Sequence, residues 1–186
     1  MLADERPKPG EKSALRDAVE TIFITFLIYL LVRTFLVENY RVVGHSMIPT
    51  LENDQFLVVS KLEYRLHEPK RGDIIVFEEP RGNKKKLIKR VIGLPGELLE
   101  IKGGQVFIRG QRLNEPYIKD PSRSSTTPER IPEHQYFVMG DNRNNSSDSR
   151  NWGTLPRNDI VGKAWLTYWP SRLWGVIPHE TYENLP

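Results

Sequence analysis

The distribution of apolar residues divides the chain near residue 37. Up to that point, residues 18–37 (AVETIFITFLIYLLVRTFLV) form one continuous apolar block. About 20 helical residues are what a bilayer's hydrocarbon requires. Glu20 stands at the start of the block and Arg33 one turn from its end, where long side chains reach the interface. The uncharged stretch runs only from Thr21 to Val32, so a buried amphipathic helix is the alternative reading. No small-x-small pair follows, and the block reads as an uncleaved signal anchor rather than a cleaved signal peptide. Arg6, Lys8, Lys12 and Arg16 precede it, and Arg41 alone follows closely. That bias predicts a cytoplasmic tail over 1–17, a single span over 18–37 in the cell (plasma or inner) membrane, and a body over 38–186 on the outer face.

Beyond the block the pattern changes to short apolar runs with turn punctuation. DIIVFEEP (73–80) predicts a strand ended by proline, and KKLIKRVIGLPGE (85–97) a strand running into a Pro-Gly turn. ELLEIKGGQVFIRGQRL (97–113) predicts a hairpin around Gly103 and Gly104. HQYFVMGDN (134–142) and VGKAWLTYW (161–169) complete a set with little helical periodicity. The expected fold class is therefore mostly β, an antiparallel sheet or open barrel, preceded by one transmembrane helix. DPSRSSTTPERIP (120–132) reads as a polar surface loop, and nothing divides 38–186 further.

Composition narrows the chemistry. With 27% charged and 38% hydrophobic residues in 186, the body is that of a globular domain and not of a polytopic membrane protein. The net charge of +3 is too small to require a nucleic-acid partner, and none is expected. Cysteine is absent, which removes disulfides, thiolate nucleophiles and thiolate metal sites. His45, His67, His134 and His179 are scattered without metal-ligand spacing, so neither a metal nor an organic cofactor is predicted.

The stretch GHSMIPTL (44–51) places a serine just beyond the apolar block. A serine hydroxyl needs a base to become a nucleophile. His45 adjoins Ser46, but neighbours on an extended chain point to opposite faces. His134 has no tie to the serine. Lysine is the other possibility, provided that burial lowers its pKa by several units. If 86–92 is a strand, Leu87, Lys89 and Val91 share a face, so Lys89 lies between two aliphatic side chains. The competing reading makes Lys84, Lys85, Lys86, Lys89 and Arg90 a solvated basic patch guarding an edge strand. The residues alone leave this choice open.

SMIPTL (46–51), RGDIIVF (71–77), KRVIGLPGE (89–97) and GDNRNNSSDSR (140–150) occur in this order behind one apolar anchor. This combination resembles the bacterial type I signal peptidases from the anchor to about residue 170. The resemblance implies a serine–lysine endopeptidase with Ser46 as nucleophile and Lys89 as general base. It further implies that Ser146 hydrogen-bonds and orients Lys89, and that Asp141–Arg90 and Asp148–Arg150 are structural ion pairs. Within 140–150 the charges of Asp141 and Asp148 balance those of Arg143 and Arg150, an internally paired loop. Gly44 replaces a serine that in some members helps to hold the oxyanion, and Leu87 replaces an aromatic residue.

Signal peptides are cut after small residues at the first and third positions before the bond, which calls for two shallow apolar pockets. Tyr40, Val42, Met47, Leu51, Leu87 and Ile88 are the expected walls, with ordinary core packing as the competing reading. An extended substrate adding to a free strand edge fits the same pattern. The implied partners are preprotein signal peptides, membrane lipid and the translocation machinery. The aromatic tail AWLTYWPSRLWGVI (164–177) is a candidate lipid contact. Rival readings are a membrane-anchored, non-enzymatic β binding module and a self-cleaving serine–lysine repressor-type peptidase.

Overall fold

The structure, a computed structural model, describes residues 9–80, 82 and 85–182. Arg6 and Lys8 of the charge bias, and Lys84 of the basic run, lie outside the described residues. Two compact units result, residues 1–37 and 38–186.

The first unit is a helix, α1 (Pro9–Leu31), whose last turn widens into a π-helical turn, Val32–Leu36. Its most apolar stretch, Ala14–Leu36, has a mean hydropathy of 1.9 and is long enough to cross a membrane. The helix therefore begins well before the apolar block predicted at 18–37 and ends at the residue before Val37. Arg33 donates to the Tyr29 hydroxyl at 2.9 Å, one turn back, so the charge near the end of the block has a local partner.

The second unit is built of strands. β1 (Val37–Arg41), β2 (Phe56–Ser60), β3 (Ile74–Glu78), β4 (Lys86–Gly93), β9 (Gln135–Met139), β10 (Leu155–Pro156), β11 (Ile160–Trp169) and β12 (Gly175–Val176) form the larger sheet. Its order is β1-β2-β11-β3-β4-β9-β10, with β12 also pairing β11. A smaller sheet has the order β7-β6-β5-β8, from β5 (Leu98–Lys102), β6 (Gln105–Ile108), β7 (Gln111–Arg112) and β8 (Thr126–Arg130). From β2 onward the pairings are antiparallel. The predicted hairpin at Gly103-Gly104 is β5–β6, with Lys102 opposite Gln105. The segment 120–132, expected to be a loop throughout, contains β8. This strand pairs through its main chain along one edge of β5, and its own side chains are almost all exposed.

Period-two alternation explains which residues go inside. Ile74 and Val76 of β3 join Leu57, Val59 and Ile88 in one core cluster, while Ile75 and Phe77 face Val91, Tyr136 and Val138 in another. β3 is thus covered on both faces, which is why it reads as an unbroken apolar run. Two short helices cover the second face, α2 (Glu63–Leu66) through Tyr64 and α3 (Ser149–Trp152) through Trp152. A third cluster joins Leu99, Ile101, Val106 and Ile108 of the small sheet to Ile92, Phe137 and Met139.

One buried ion pair ties the two sheets at their junction. Arg71 donates to the Ile92 carbonyl at 2.6 Å and to Glu97 at 2.5 Å, and the second Glu97 oxygen accepts the Leu94 amide at 2.8 Å. Both side chains are almost wholly buried. Removing one member of such a pair strands a charge in the interior, which typically costs about 3–5 kcal/mol. Arg71→Met is therefore expected to lower stability by about that amount in urea unfolding of the full chain in detergent. A change below about 0.5 kcal/mol would contradict this description of the junction.

Candidate active site

Ser46 lies in a turn anchored from below. Met47 and Leu51, on either side of the cis Ile48–Pro49 peptide, are buried in the first core cluster, and the Leu51 amide donates to the Met47 carbonyl at 2.9 Å. Ser46 is left half-exposed at the head of the turn. Asn142 holds the turn from above, its main-chain amide donating to the Ser46 carbonyl at 2.9 Å and its side-chain amide to the His45 carbonyl at 3.0 Å. Gly44 has φ +96°, a left-handed conformation suited to glycine, and its amide donates to Asn53 at 2.7 Å. Space beside Gly44 is open, but a serine there would carry backbone strain.

Lys89 extends from β4, opposite Ile75 of β3. Its Nζ lies 2.7 Å from Ser46 Oγ and donates to the Ile88 carbonyl at 2.8 Å. The side chain is only 4% exposed, so the patch of solvated lysines does not describe this position. Burial is the main influence on the amine and lowers its pKa from 10.5 to about 8, against the opposing pull of the Asp148 and Asp141 carboxylates.

Those carboxylates are taken by arginines. Arg90, the next residue on β4, donates to both oxygens of Asp141 at 2.9 and 2.7 Å, and to the Gly72 carbonyl at 2.9 Å. Its guanidinium lies 4.0 Å from the centre of the Tyr117 ring. Thr50 donates to Asp141 at 2.5 Å, which fastens the serine turn to the same pair. Asp148 caps α3, accepts the Gly140 amide at 3.0 Å, and is gripped by Arg150 at 2.8 Å through two nitrogens. Arg143 does not pair within the loop as its charge balance implied. It reaches out to Glu115 at 2.6 and 3.0 Å, because Asp141 is already filled by Arg90 and Thr50.

Ser146 departs from expectation. Its Oγ is buried and has no hydrogen-bond partner among the described residues, so the anticipated bond to Lys89 is not formed. The lysine amine instead turns to Ser46 and the Ile88 carbonyl. Ser146 is nevertheless adjacent, because a side chain at Gly140 would meet its Oγ at 2.3 Å and the Ser46 carbonyl at 2.4 Å. Only a glycine allows these two segments to approach so closely.

A cleft of about 720 Å³ opens beside the pair, lined by Tyr40, Val43, Ser46, Leu87, Ile88 and Lys89, with charged Glu38, Arg41, Lys85 and Lys86 at its rim. Of the expected walls, Tyr40, Leu87 and Ile88 line it. Val42, Met47 and Leu51 instead pack in the first core cluster, beneath the turn. Exposed Val43 is a lining residue that sequence reading missed, as were the positions of Thr50, Asn142 and Glu115. The arrangement brings a hydroxyl to a desolvated amine at the edge of an open groove, which is suited to proton abstraction and nucleophilic attack.

The displaced pKa has a consequence for stability. Folded Lys89 keeps its proton only below about 8, and a lysine in water keeps it to 10.5. Below about pH 8 the desolvation penalty acts in full, and stability rises as pH climbs from about 8 toward 10.5 and the unfolded chain binds more protons. Lys89→Met is expected to stabilise the protein at pH 7, by on the order of 1–3 kcal/mol. The gain should shrink between pH 8 and 10 in denaturant titrations, and a gain independent of pH would contradict the assigned cause.

The family model described as signal peptidase, peptidase S26, matches residues 15–169. A signal peptidase I of Leptolyngbya laminosa is 42% identical over 183 residues, covering 94% of this chain and 90% of the relative. Signal peptidase I P of Bacillus subtilis subsp. natto is 42% identical over 173 residues, covering 86% and 92%. A solved signal peptidase I of Enterococcus faecalis V583 is 34% identical, with 52% of this chain and 97% of that one matched at a TM-score of 0.46. On the span of the family model and the identities of the first two relatives, the chain belongs to the signal peptidase family, peptidase S26.

Proposed function

We propose that this chain is a membrane-anchored serine endopeptidase that removes amino-terminal signal peptides from translocated preproteins. The observation that carries this reading is the 2.7 Å approach of a buried Lys89 amine to Ser46 Oγ. In the reaction, the neutral amine takes the hydroxyl proton as Ser46 Oγ attacks the scissile carbonyl. The amine then passes that proton to the leaving amino group, leaving an acyl-enzyme. Water, deprotonated by the same amine, hydrolyses the ester and restores the serine.

The developing oxyanion needs preorganised donors. The Ser46 main-chain N–H is the first, since it donates to no group among the described residues. Asn142, by fixing the carbonyls of His45 and Ser46, holds the peptide planes that aim it. Gly44 offers no side-chain donor, so the hole relies on main-chain groups. Arg90–Asp141 and Arg150–Asp148 hold the serine turn and the 140–148 loop in place. The rest of the site is an open groove at a strand edge, apolar at Tyr40, Val43, Leu87 and Ile88, where an extended peptide adds main-chain hydrogen bonds. Tyr40, Leu87 and Ile88 then bound the pockets for the small residues before the cut.

The apolar helix over Ala14–Leu36 serves as the anchor, with the amino terminus cytoplasmic and the catalytic body on the outer face, where translocated preproteins emerge from the translocation machinery. Exposed Trp165, Trp169 and Trp174 are fit to rest at a lipid surface.

Ser46→Ala and Lys89→Met are each expected to reduce preprotein cleavage by about 10⁴-fold or more, with the protein still folded. In the parent protein, kcat/KM should rise with pH through a midpoint near 8 as Lys89 loses its proton. Wild-type turnover by either folded variant, or a rate unchanged from pH 6 to 10, would refute the dyad.

A further inference from the structure

Tyr40 occupies a position that bears on how substrate enters. The bond from the Glu79 amide to the Lys85 carbonyl directs the odd-numbered main-chain groups of β4 toward β3. On the other side β9 pairs only from Arg90 onward, where Arg90 lies opposite Met139. Lys86 and Ile88 therefore turn their main-chain groups to an edge that no described strand covers, and this edge leads directly to Ser46. In the free protein both edge carbonyls are already occupied. Ile88 O accepts from Lys89 Nζ, and Lys86 O accepts from the Tyr40 hydroxyl at 2.9 Å.

We propose that the Tyr40 hydroxyl is a displaceable cap on the strand edge, holding the Lys86 carbonyl that an incoming peptide needs for the third residue before the cut. The inference rests on the strand-addition reading of the groove given above. Lys86 and Ile88 are two residues apart, roughly 7 Å along the strand. With the scissile carbonyl at Ser46, the last residue before the cut pairs beside Ile88. The peptide upstream of it can only run toward Lys86, because beyond Ile88 the edge is closed by β9. The residue two positions earlier thus meets Lys86, and its N–H must replace the phenol.

The cap has a use in the resting protein, since an unpaired strand edge is open to pairing with other chains. Burial raises the Tyr40 pKa to about 12, so the phenol remains a donor throughout the working pH range. The hydroxyl sets a threshold for substrate, equal to its net advantage over water at the same carbonyl.

The test uses the full chain in detergent micelles, made non-cleaving by Ser46→Ala, with and without Tyr40→Phe. Two peptides spanning a preprotein cut are titrated calorimetrically. One is unmodified, and the other is N-methylated at the amide of the third residue before the cut. Tyr40→Phe is expected to tighten the unmodified peptide by about two- to tenfold. The methylated peptide, which cannot use the carbonyl, should bind both proteins within about twofold. No tightening of the unmodified peptide overturns the cap, and so does equal tightening of both peptides, which would mean release of the ring and not of the acceptor. If methylation leaves binding to the tyrosine-bearing protein unchanged, strand addition itself is wrong and the cap falls with it.

Discussion

Two adjacent cations on one buried strand are treated in opposite ways, and the site depends on that difference. Arg90 is given a carboxylate, and Lys89 is not. Asp141 is held by Arg90, Asp148 by Arg150, and Glu115 by Arg143. Of the buried charged side chains described, Arg71 and Asp73 are also paired, with Glu97 and Lys163. Among these buried side chains Lys89 alone has no partner of opposite charge. A buried amine in that position sheds its proton more readily than one in water. Had either aspartate been free to bond it directly, the lysine would be held charged and unable to act as the proposed base.

The same pairs set the geometry. Arg90 joins β4 to the Gly72 carbonyl and to Asp141, and Thr50 fastens the serine turn to that aspartate. The loop from Gly140 to Asp148 closes on itself through the Gly140 amide and bears on the turn through Asn142. Arginine suits the task because its planar fork binds a carboxylate through two bonds and stays charged when buried. Lysine suits the neighbouring position for the opposite reason, since its amine can be discharged. An exchange of the two residue types would therefore disable both roles.

Much of this was readable from residue patterns, and the limits have physical causes. Short apolar runs ended by turn residues mark β3 and β4, and the two-residue period of side chains puts Lys89 among aliphatic neighbours. Whether that face is covered depends on chain segments dozens of residues away, so a buried amine and a solvated patch look alike in KKLIKRVIG. β8 escaped notice because an edge strand held by main-chain bonds needs no apolar face. The loop charges sum to zero, yet a sum does not say which charges meet. Arg143 finds Glu115, in a segment with no signal of its own. Val42, Met47 and Leu51 are apolar and close to Ser46 in sequence, but the turn directs them into the core and leaves Val43 at the cleft.

The central claim concerns one proton. Titration of the Lys89 amine by NMR, with ¹³C-labelled lysine and the signal assigned by its loss in Lys89→Met, measures it directly in the full-length protein. A midpoint near 8 is predicted, the value that burial without a carboxylate partner imposes. A midpoint at the ordinary 10.5 would leave only about one amine in three thousand neutral at pH 7, against about one in ten at a midpoint near 8, and the proposed base would almost never have a lone pair to offer.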